Sequence, residues 1–372
     1  LLAERSKIKI PKRFTDKYGD HVMLWSYSRI NTLHNCTYEY YLSRIKHIRG
    51  KDNIYTLCGT YAHDIMEKYY NHKLRKNELA AQFETDFLDV EMSDYKFSSD
   101  EYKNEKMRNK YKNCVIDFFK HHKTMSDKVA TEKILWIDIN GNLFMGYVDA
   151  IHKDKDGNFI ITDYKTSTMY KGKQVAEHGK QLLLYALGLI QGGIPINKIK
   201  CRWLFMKYVN ISFEQKNGKI KTTIGDRHQW VKKIKTPLKR DLKELTDMND
   251  IDIELKVEIC VKKNSITDLP QEIQNKYSFE ECYVYPEITD ETLNELKEEM
   301  TKDIKDIQHR GKDEDHWERG EIEPQDSYYC SVLCGVHDEC KYYQDYLIKN
   351  GLKKKEEYSL IKELDGLDNL PF

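Results

Sequence analysis

Leu143-Phe144-Met145-Gly146-Tyr147-Val148-Asp149-Ala150-Ile151, a break at Asp156-Gly157, then Asn158-Phe159-Ile160-Ile161-Thr162-Asp163-Tyr164-Lys165: the reading of this stretch decides the fold. Both halves are short and rich in β-branched and aromatic residues, and Asp-Gly between such runs is a hairpin signal. A third run, Ile134 to Ile139, enters through a second such dipeptide, Asn140-Gly141. Three antiparallel strands are expected. Upstream, Trp25 to Ile45 has helical spacing with Ser26 or Ser28 as its cap, Gly59 to His72 reads as a second helix, and Lys76 to His122 as one or two longer ones. Downstream, Val175 to Ile190 returns to helix and Lys200 to Phe213 to strand. Helix, three strands, helix, strand is an α/β arrangement in which the crossing helix covers one face of the sheet.

The hairpin carries the chemistry. Positions 149 and 163 are equidistant from the turn at Asp156, so a regular register sets the two carboxylates opposite each other, with Cβ atoms ~4.5–5.5 Å apart. Asp163 and Lys165 share a face because side chains alternate with period two. Facing carboxylates repel unless a cation neutralises them, and a hard divalent ion such as Mg²⁺ does so through oxygen ligands. Such an ion lowers the pKa of bound water, while a nearby Lys orients that water or neutralises developing charge. This is the equipment of phosphodiester hydrolysis. An Asp-x-Lys at a strand end is by itself also a common solvated edge. Three further features tip the balance: His63 in Gly59-Thr60-Tyr61-Ala62-His63 at the opening of a helix, Gln181 and Tyr185 four apart on one helix face, and Gly146 three residues before Asp149.

Taken together, Gly59…His63, Gly146-Tyr147-Val148-Asp149, Asp163-Tyr164-Lys165-Thr166 and Gln181…Tyr185 resemble, in order and spacing, the RecB/AddB-like branch of the PD-(D/E)XK nuclease superfamily. The resemblance covers roughly residues 25–210 and a C-terminal cysteine cluster. It implies a restriction-endonuclease-like core: a mixed sheet flanked by helices, with a helical N-terminal region. It also implies that His63, Asp149 and Asp163 bind Mg²⁺ or Mn²⁺, helped by the Tyr164 carbonyl, that Lys165 is the catalytic lysine, and that Gln181 and Tyr185 position DNA or support the site. Glu132, just before the first strand, is a lesser candidate for the acidic position that some members have there.

Cys330, Cys334 and Cys340 lie within eleven residues, and Cys36 stands far away near the N-terminus. Three clustered thiolates and a distant one suit a four-ligand metal centre, iron–sulfur or zinc. RecB-like nucleases of the iron–sulfur type, including a CRISPR-associated exonuclease family, resemble this layout, which implies a [4Fe–4S] cluster. Their late spacing is usually Cys-x2-Cys-x5-Cys; here the first gap is one residue longer. His337 is a substitute ligand for a zinc site. The five other cysteines read as ordinary small residues.

Residues 216–240 hold nine basic residues against Asp226 alone, with Trp230 among them. Such a segment tracks a phosphate backbone and stacks a base, or is a solvated charged face. The end, Glu363-Leu364-Asp365-Gly366-Leu367-Asp368-Asn369-Leu370-Pro371-Phe372, resembles the tip of bacterial single-strand-DNA-binding proteins, which docks on replication and repair partners; otherwise it is a frayed acidic end. The expected organisation is a helical region 1–130, a nuclease core 131–215, a mixed basic and charged insertion 216–325, and a cysteine segment with acidic tail 326–372.

Net charge is zero, and charged residues make up 33% of the 372. The longest apolar stretch, Leu182 to Ile190, is far short of the ~20 residues of a spanning helix, so no membrane association is expected. The first dozen residues hold no continuous apolar segment, so no secretory leader is expected. Nine cysteines then point to a reducing, cytoplasmic setting. No Gly-x4-Gly-Lys-Ser/Thr phosphate loop is present, so ATPase activity is not expected. The leading reading is a metal-dependent DNA exonuclease acting on single strands or ends in recombination, repair or replication. The alternatives are a catalytically silent nucleic-acid-binding or assembly protein, and an RNA-directed nuclease.

Overall fold

The computed structural model describes residues 8–98 and 100–352. The acidic tail ending Leu370-Pro371-Phe372 lies outside the described residues.

The chain opens with α1 (Lys12–Tyr18), β1 (Leu24–Trp25), α2 (Tyr27–Asn35) and α3 (Thr37–Tyr40), which runs into a π-helical turn, Tyr41–Ile45. Three long helices follow: α4 (Ile54–Tyr70), α5 (Leu79–Met92) and α6 (Glu101–His121). Then come β2 (Val129–Ile139), β3 (Asn142–Lys153), β4 (Phe159–Lys165), α7 (Lys173–Gln191) and β5 (Ile199–Glu214). The rest comprises β6 (Ile220–Asp226), α8 (Lys235–Leu245), α9 (Asp250–Lys263), α10 (Gln271–Gln274), β7 (Tyr277–Val284), α11 (Asp290–Arg310) and α12 (Lys341–Lys349). No helix among the described residues is long and apolar enough to cross a membrane.

The described residues divide into two compact units, one within 54–137 and 146–293, the other within 8–53, 138–145 and 294–352. The first is built on a mixed sheet. β3 and β4 pair antiparallel, β4 and β5 parallel, and α7 is the crossover between them. β5 pairs with β4 over Ile199 to Phe205 and with β6 over Tyr208 to Glu214 along one edge, and with β7 along the other. Both faces are covered. Leu182, Tyr185 and Ala186 of α7 bury against Ile161, Cys201, Trp203 and Phe205. On the opposite face Ile65, Met66, Phe83 and Phe119 of α4 to α6 cover Ala150, Tyr164, Leu204 and Met206. Each buried Leu, Ile, Met or Phe among them contributes about 1.5–3 kcal/mol by leaving water, so both faces stabilise the sheet. A third cluster packs Leu238 and Leu242 of α8 and Val257 of α9 around Ile211 and Phe213 at the far end of β5.

In the other unit, β1 pairs in parallel with Leu143 and Phe144 at the start of β3. Trp317 is fully buried, stacked 5.1 Å from the ring of Tyr40, and His34 Nε2 is 2.8 Å from Asp303 Oδ2.

Both turns form as their dipeptides require: Asn140, Gly141 and Gly157 all have positive φ (49°, 84° and 79°). Three boundaries differ from expectation. The helix expected over Trp25 to Ile45 is capped at Ser26, whose hydroxyl accepts the Arg29 N–H, but it breaks at Cys36, which is extended and caps the next helix through its sulfur. The helix expected to open at Gly59 starts at Ile54, because Ile54 and Cys58 are buried in the core and extend its apolar face by a turn. Glu132 lies within β2 rather than before it, in a left-handed conformation (φ 48°) that interrupts the strand's regular geometry.

Candidate active site

Four elements bring the expected residues to one end of the hairpin. His63 comes from α4, Asp149 from β3, Asp163 and Lys165 from the end of β4, and Gln181 and Tyr185 from α7. The register is the one expected, with Ala150 opposite Thr162 and Lys153 opposite Phe159. One further step would set Asp149 opposite Asp163, but the ladder stops at Ala150. The period-two alternation slips at the same place: Val148 is buried on the α7 side and Ala150 on the α4 side. The strands therefore splay where the carboxylates lie. Asp149 Oδ2 uses the opening to accept the Tyr164 N–H at 2.8 Å, and it stands 3.3 Å from His63 Nδ1. The His63 ring meets Tyr164 edge-on at 5.7 Å.

Lys165 Nζ lies 2.6 Å from Asp163 Oδ2. The contact is an ion pair without hydrogen-bond alignment, so this buried oxygen has no aligned donor. Burial pushes the Asp163 carboxyl above the usual range despite Lys165, and the nearby Asp149 adds to the rise. Burial also acts on Asp149, but His63, Lys165 and the Tyr164 N–H pull it below the usual range. Burial opposes the charge on His63 and on Lys165; Asp149 nevertheless holds the His63 proton, and Asp163 the Lys165 proton, above their ordinary values. Two neighbouring buried carboxyls pushed in opposite directions mark a candidate functional site.

One imidazole nitrogen and two carboxylates are a donor set that fits a hard divalent cation. The ligand atoms of His63, Asp149 and Asp163 do not all fall within 4.8 Å of one another, with Lys165 drawn onto Asp163; among the described residues the trio that does is His34, Glu299 and Asp303. On α7, Gln181 Nε2 donates to the Tyr185 hydroxyl at 2.8 Å, and Tyr185 is buried with Asp163, Asp149 and Glu132 close enough to act on it electrostatically. A Cβ on residue 59 would meet Thr166 Oγ1 at 3.6 Å, an ordinary contact, so this packing does not itself demand glycine.

Comparison with known proteins adds to this geometry. The family model described as PD-(D/E)XK nuclease superfamily matches residues 24–341. The chain belongs to the PD-(D/E)XK nuclease superfamily. A solved structure titled "Crystal structure of SSO0001" is similar at 14% identity, covering 64% of this chain and 86% of that one, with a TM-score of 0.17, too slight a likeness to place any residue. No curated protein matches. Members of the superfamily are metal-dependent nucleases, and the mixed sheet with helices on both faces is the fold expected of one.

In this PD-(D/E)XK protein the four clustered or distant cysteines also meet. Cys36, Cys330, Cys334 and Cys340 line one small cavity. None of the nine cysteines forms a disulfide. Cys36 sits at the break between α2 and α3, and Cys330 in a second π-helical turn, Tyr329–Leu333. In no trio of the four sulfurs do all three stand within 4.8 Å of one another. Burial pushes the Cys340 thiol up to about 11 and Cys334 higher still. Sequence reasoning missed Arg319, whose Nη1 lies 3.2 Å from Cys330 Sγ and 3.8 Å from Cys36 Sγ. One arginine among many charged residues gives no local signal. His337 lines the cavity, but its Nδ1 donates to the Cys334 carbonyl and its Nε2 is 3.3 Å from Asp338. Trp230, expected to stack a base, is half-buried against Phe279, with ring centroids 4.4 Å apart.

Proposed function

We propose that this chain is a metal-dependent deoxyribonuclease of the RecB/AddB-like, iron–sulfur type, and an exonuclease acting on single strands or DNA ends. The observation that carries the nuclease centre is the convergence of His63, Asp149, Asp163 and Lys165 where the β3–β4 ladder stops. The preference for ends rests on the sequence resemblance.

In this reading His63, Asp149, Asp163 and the Tyr164 carbonyl hold Mg²⁺ or Mn²⁺. The bound ion supplies Lewis acidity toward the phosphate and lowers the pKa of water. Lys165 is fully protonated at neutral pH, and its ammonium neutralises charge that develops on the phosphate. Asp149, the more acidic carboxyl, stays ionised; Asp163 is the group whose charge the lysine and the ion must offset. The Tyr164 N–H fixes the Asp149 carboxylate from behind, and the Gln181–Tyr185 pair walls the α7 side of the site.

Cys36, Cys330, Cys334 and Cys340 are the ligand set for a [4Fe–4S] cluster. The choice of the cluster over tetrahedral zinc rests on the sequence resemblance. When bound, the cluster supplies a cross-link between the N-terminal helices and the C-terminal segment.

The test is degradation of end-labelled single- and double-stranded DNA, with matched RNA, in Mg²⁺ or Mn²⁺, comparing wild type with Lys165→Ala. Metal-dependent DNA cutting that disappears in the variant is the expected result, and the label reports polarity. Cutting of RNA alone would favour the RNA-directed reading. No cutting by folded, anaerobically purified protein would favour the silent binding module.

A further inference from the structure

The basic segment 216–240 does not fold as one uniform face. Lys235 and Lys239 pair with Glu258 and Glu254, tying α8 to α9, and Lys232 Nζ donates to the Gln229 side chain at 2.9 Å. Arg240 Nη2 is held by the Glu214 carbonyl at 2.8 Å and its Nε by Asp241 Oδ1 at 2.8 Å. Lys216, Lys221 and Lys233 are different. They are exposed, and among the described residues none of the three has an ion-pair partner. With Arg240 they line an open cleft of about 590 Å³ whose wall includes no carboxylate.

Three elements shape this cleft. β5 ends at Glu214, a tight turn follows in which the Gln215 N–H donates to the Lys219 carbonyl at 2.9 Å and Gly218 takes a positive φ (77°), and β6 returns with Lys221 opposite Phe213. The segment entering α8 closes the other side with Lys233 and Thr236. Arg240 already has Asp241 as its counter-charge, but Lys216, Lys221 and Lys233 have none among the described residues, and the ligand that best relieves their mutual repulsion carries regularly spaced negative charge. A nucleic-acid backbone does so and gains further from counterion release. Thr236 and Asn217 add neutral groups able to bond phosphate oxygens. Phe213 is buried, and Trp230 packs on Phe279, so the wall offers no free ring for stacking a base.

We infer that this cleft is a second nucleic-acid contact, a sequence-independent clamp for the phosphodiester backbone of the strand that the hairpin centre cuts; the last clause rests on the nuclease reading. The clamp predicts how binding responds to salt. Each lost phosphate contact makes the log–log salt slope shallower by about 0.7–0.9.

The experiment is fluorescence anisotropy of a labelled 30-mer, single-stranded and duplex, across a salt series with EDTA present so that nothing is cut. Wild type is compared with Lys216→Gln/Lys221→Gln/Lys233→Gln and with the control Lys235→Gln/Lys239→Gln. The triple variant should bind roughly tenfold or more weakly at moderate salt, with a slope shallower by about 2 and an unchanged melting temperature. The control should melt lower and keep the wild-type slope. Unchanged affinity and slope in the triple variant overturn the clamp. So does binding of ATP or inorganic phosphate that is lost in the triple variant while oligonucleotide affinity stays the same, which would make the cleft a small-anion site. Because binding is read without cleavage, a clamp that binds as described on a chain that cuts nothing supports the cleft and rejects only the nuclease reading.

Discussion

A Cβ on residue 146 would stand 2.5 Å from Cε1 of Tyr185, so the glycine of the Gly-x-x-Asp run is a seat for the tyrosine of the Gln-x-x-x-Tyr run. The demand is steric: Gly146 is not among the glycines with positive φ. Tyr185 is 4% exposed, packs with Val148 and Leu182, and holds Gln181, so its ring cannot retreat cheaply. Gly146→Ala should cost about 1–3 kcal/mol of stability and lower the cleavage rate as the ring is driven toward the carboxylates. Adding Tyr185→Leu should recover much of the stability and none of the activity. Thermal melts and initial rates on one DNA substrate check this, and a wild-type melt with wild-type rate for Gly146→Ala would reject it.

His152 should make the fold acid-sensitive. It is 7% exposed, its Nδ1 has no hydrogen-bond partner, and burial together with the nearby Arg202 lowers its pKa to about 4 from 6.5. The unfolded chain takes up the proton near pH 6.5 and the folded chain only near 4, so the unfolded state binds more protons in between. The contribution is complete above pH 6.5 and is lost as pH falls toward 4, by up to about 3 kcal/mol. Urea titrations at pH 7 and pH 4.5 should show a smaller loss for His152→Gln than for wild type. Equal losses would remove His152 from the account.

The parts of the site that were legible in the sequence are those that local rules fix. Asn140-Gly141 and Asp156-Gly157 set the turns, and the spacing of Asp149 and Asp163 about Asp156 set the register. What stayed hidden depends on partners distant in sequence. The break at Cys36 was masked because the apolar spacing runs on through Tyr38, Tyr41 and Leu42, which outweighed Asn35 as a stop signal, and because a sulfur is not a common cap. Ile54 to Cys58 joined the helix of His63 through burial in the core, a tertiary effect that weak local propensity does not report. The left-handed backbone at Glu132 and the seat of Tyr185 on Gly146 likewise need the third dimension. So did the sorting of the basic segment, since Lys235 and Lys239 are neutralised by glutamates on a helix that begins ten residues after Arg240.

Protons and divalent cations should compete for His63. Burial disfavours the imidazolium, yet Asp149 3.3 Å away, with Asp163 beyond it, raises its pKa above the usual value. A metal ligand must be unprotonated, so cation affinity should rise with pH until the imidazole has lost its proton, by up to tenfold per unit below its folded pKa. Mn²⁺ titrations followed by calorimetry at pH 6 and pH 8 check the sign. His63→Asn should bind the ion more weakly at pH 8 and lose most of the pH dependence. A wild-type affinity that falls between pH 6 and 8 would contradict the assignment of His63 as a ligand.

Arg319 should tune the cysteine centre without being one of its ligands. Its guanidinium donates to Cys330 Sγ at 3.2 Å, lies 3.8 Å from Cys36 Sγ, and is 3.4 Å from Asp326 Oδ2. Burial pushes the Cys330 thiol up, and Arg319 opposes that rise, so removing the arginine makes the thiolate a metal needs harder to form. A positive group beside a cluster sulfur also favours the reduced, more negative cluster. Cys36→Ser and Cys330→Ser should each lose most of the bound iron and acid-labile sulfide and melt several degrees lower. Arg319→Gln should retain iron and sulfide in the cluster's ratio, reconstitute more slowly, and show a more negative reduction potential, with Arg319→Lys falling between. Equal iron loss in Arg319→Gln and Cys330→Ser would mean that the arginine only holds the fold. Zinc without sulfide in the wild type would replace the cluster with a smaller metal centre and remove the potential shift altogether.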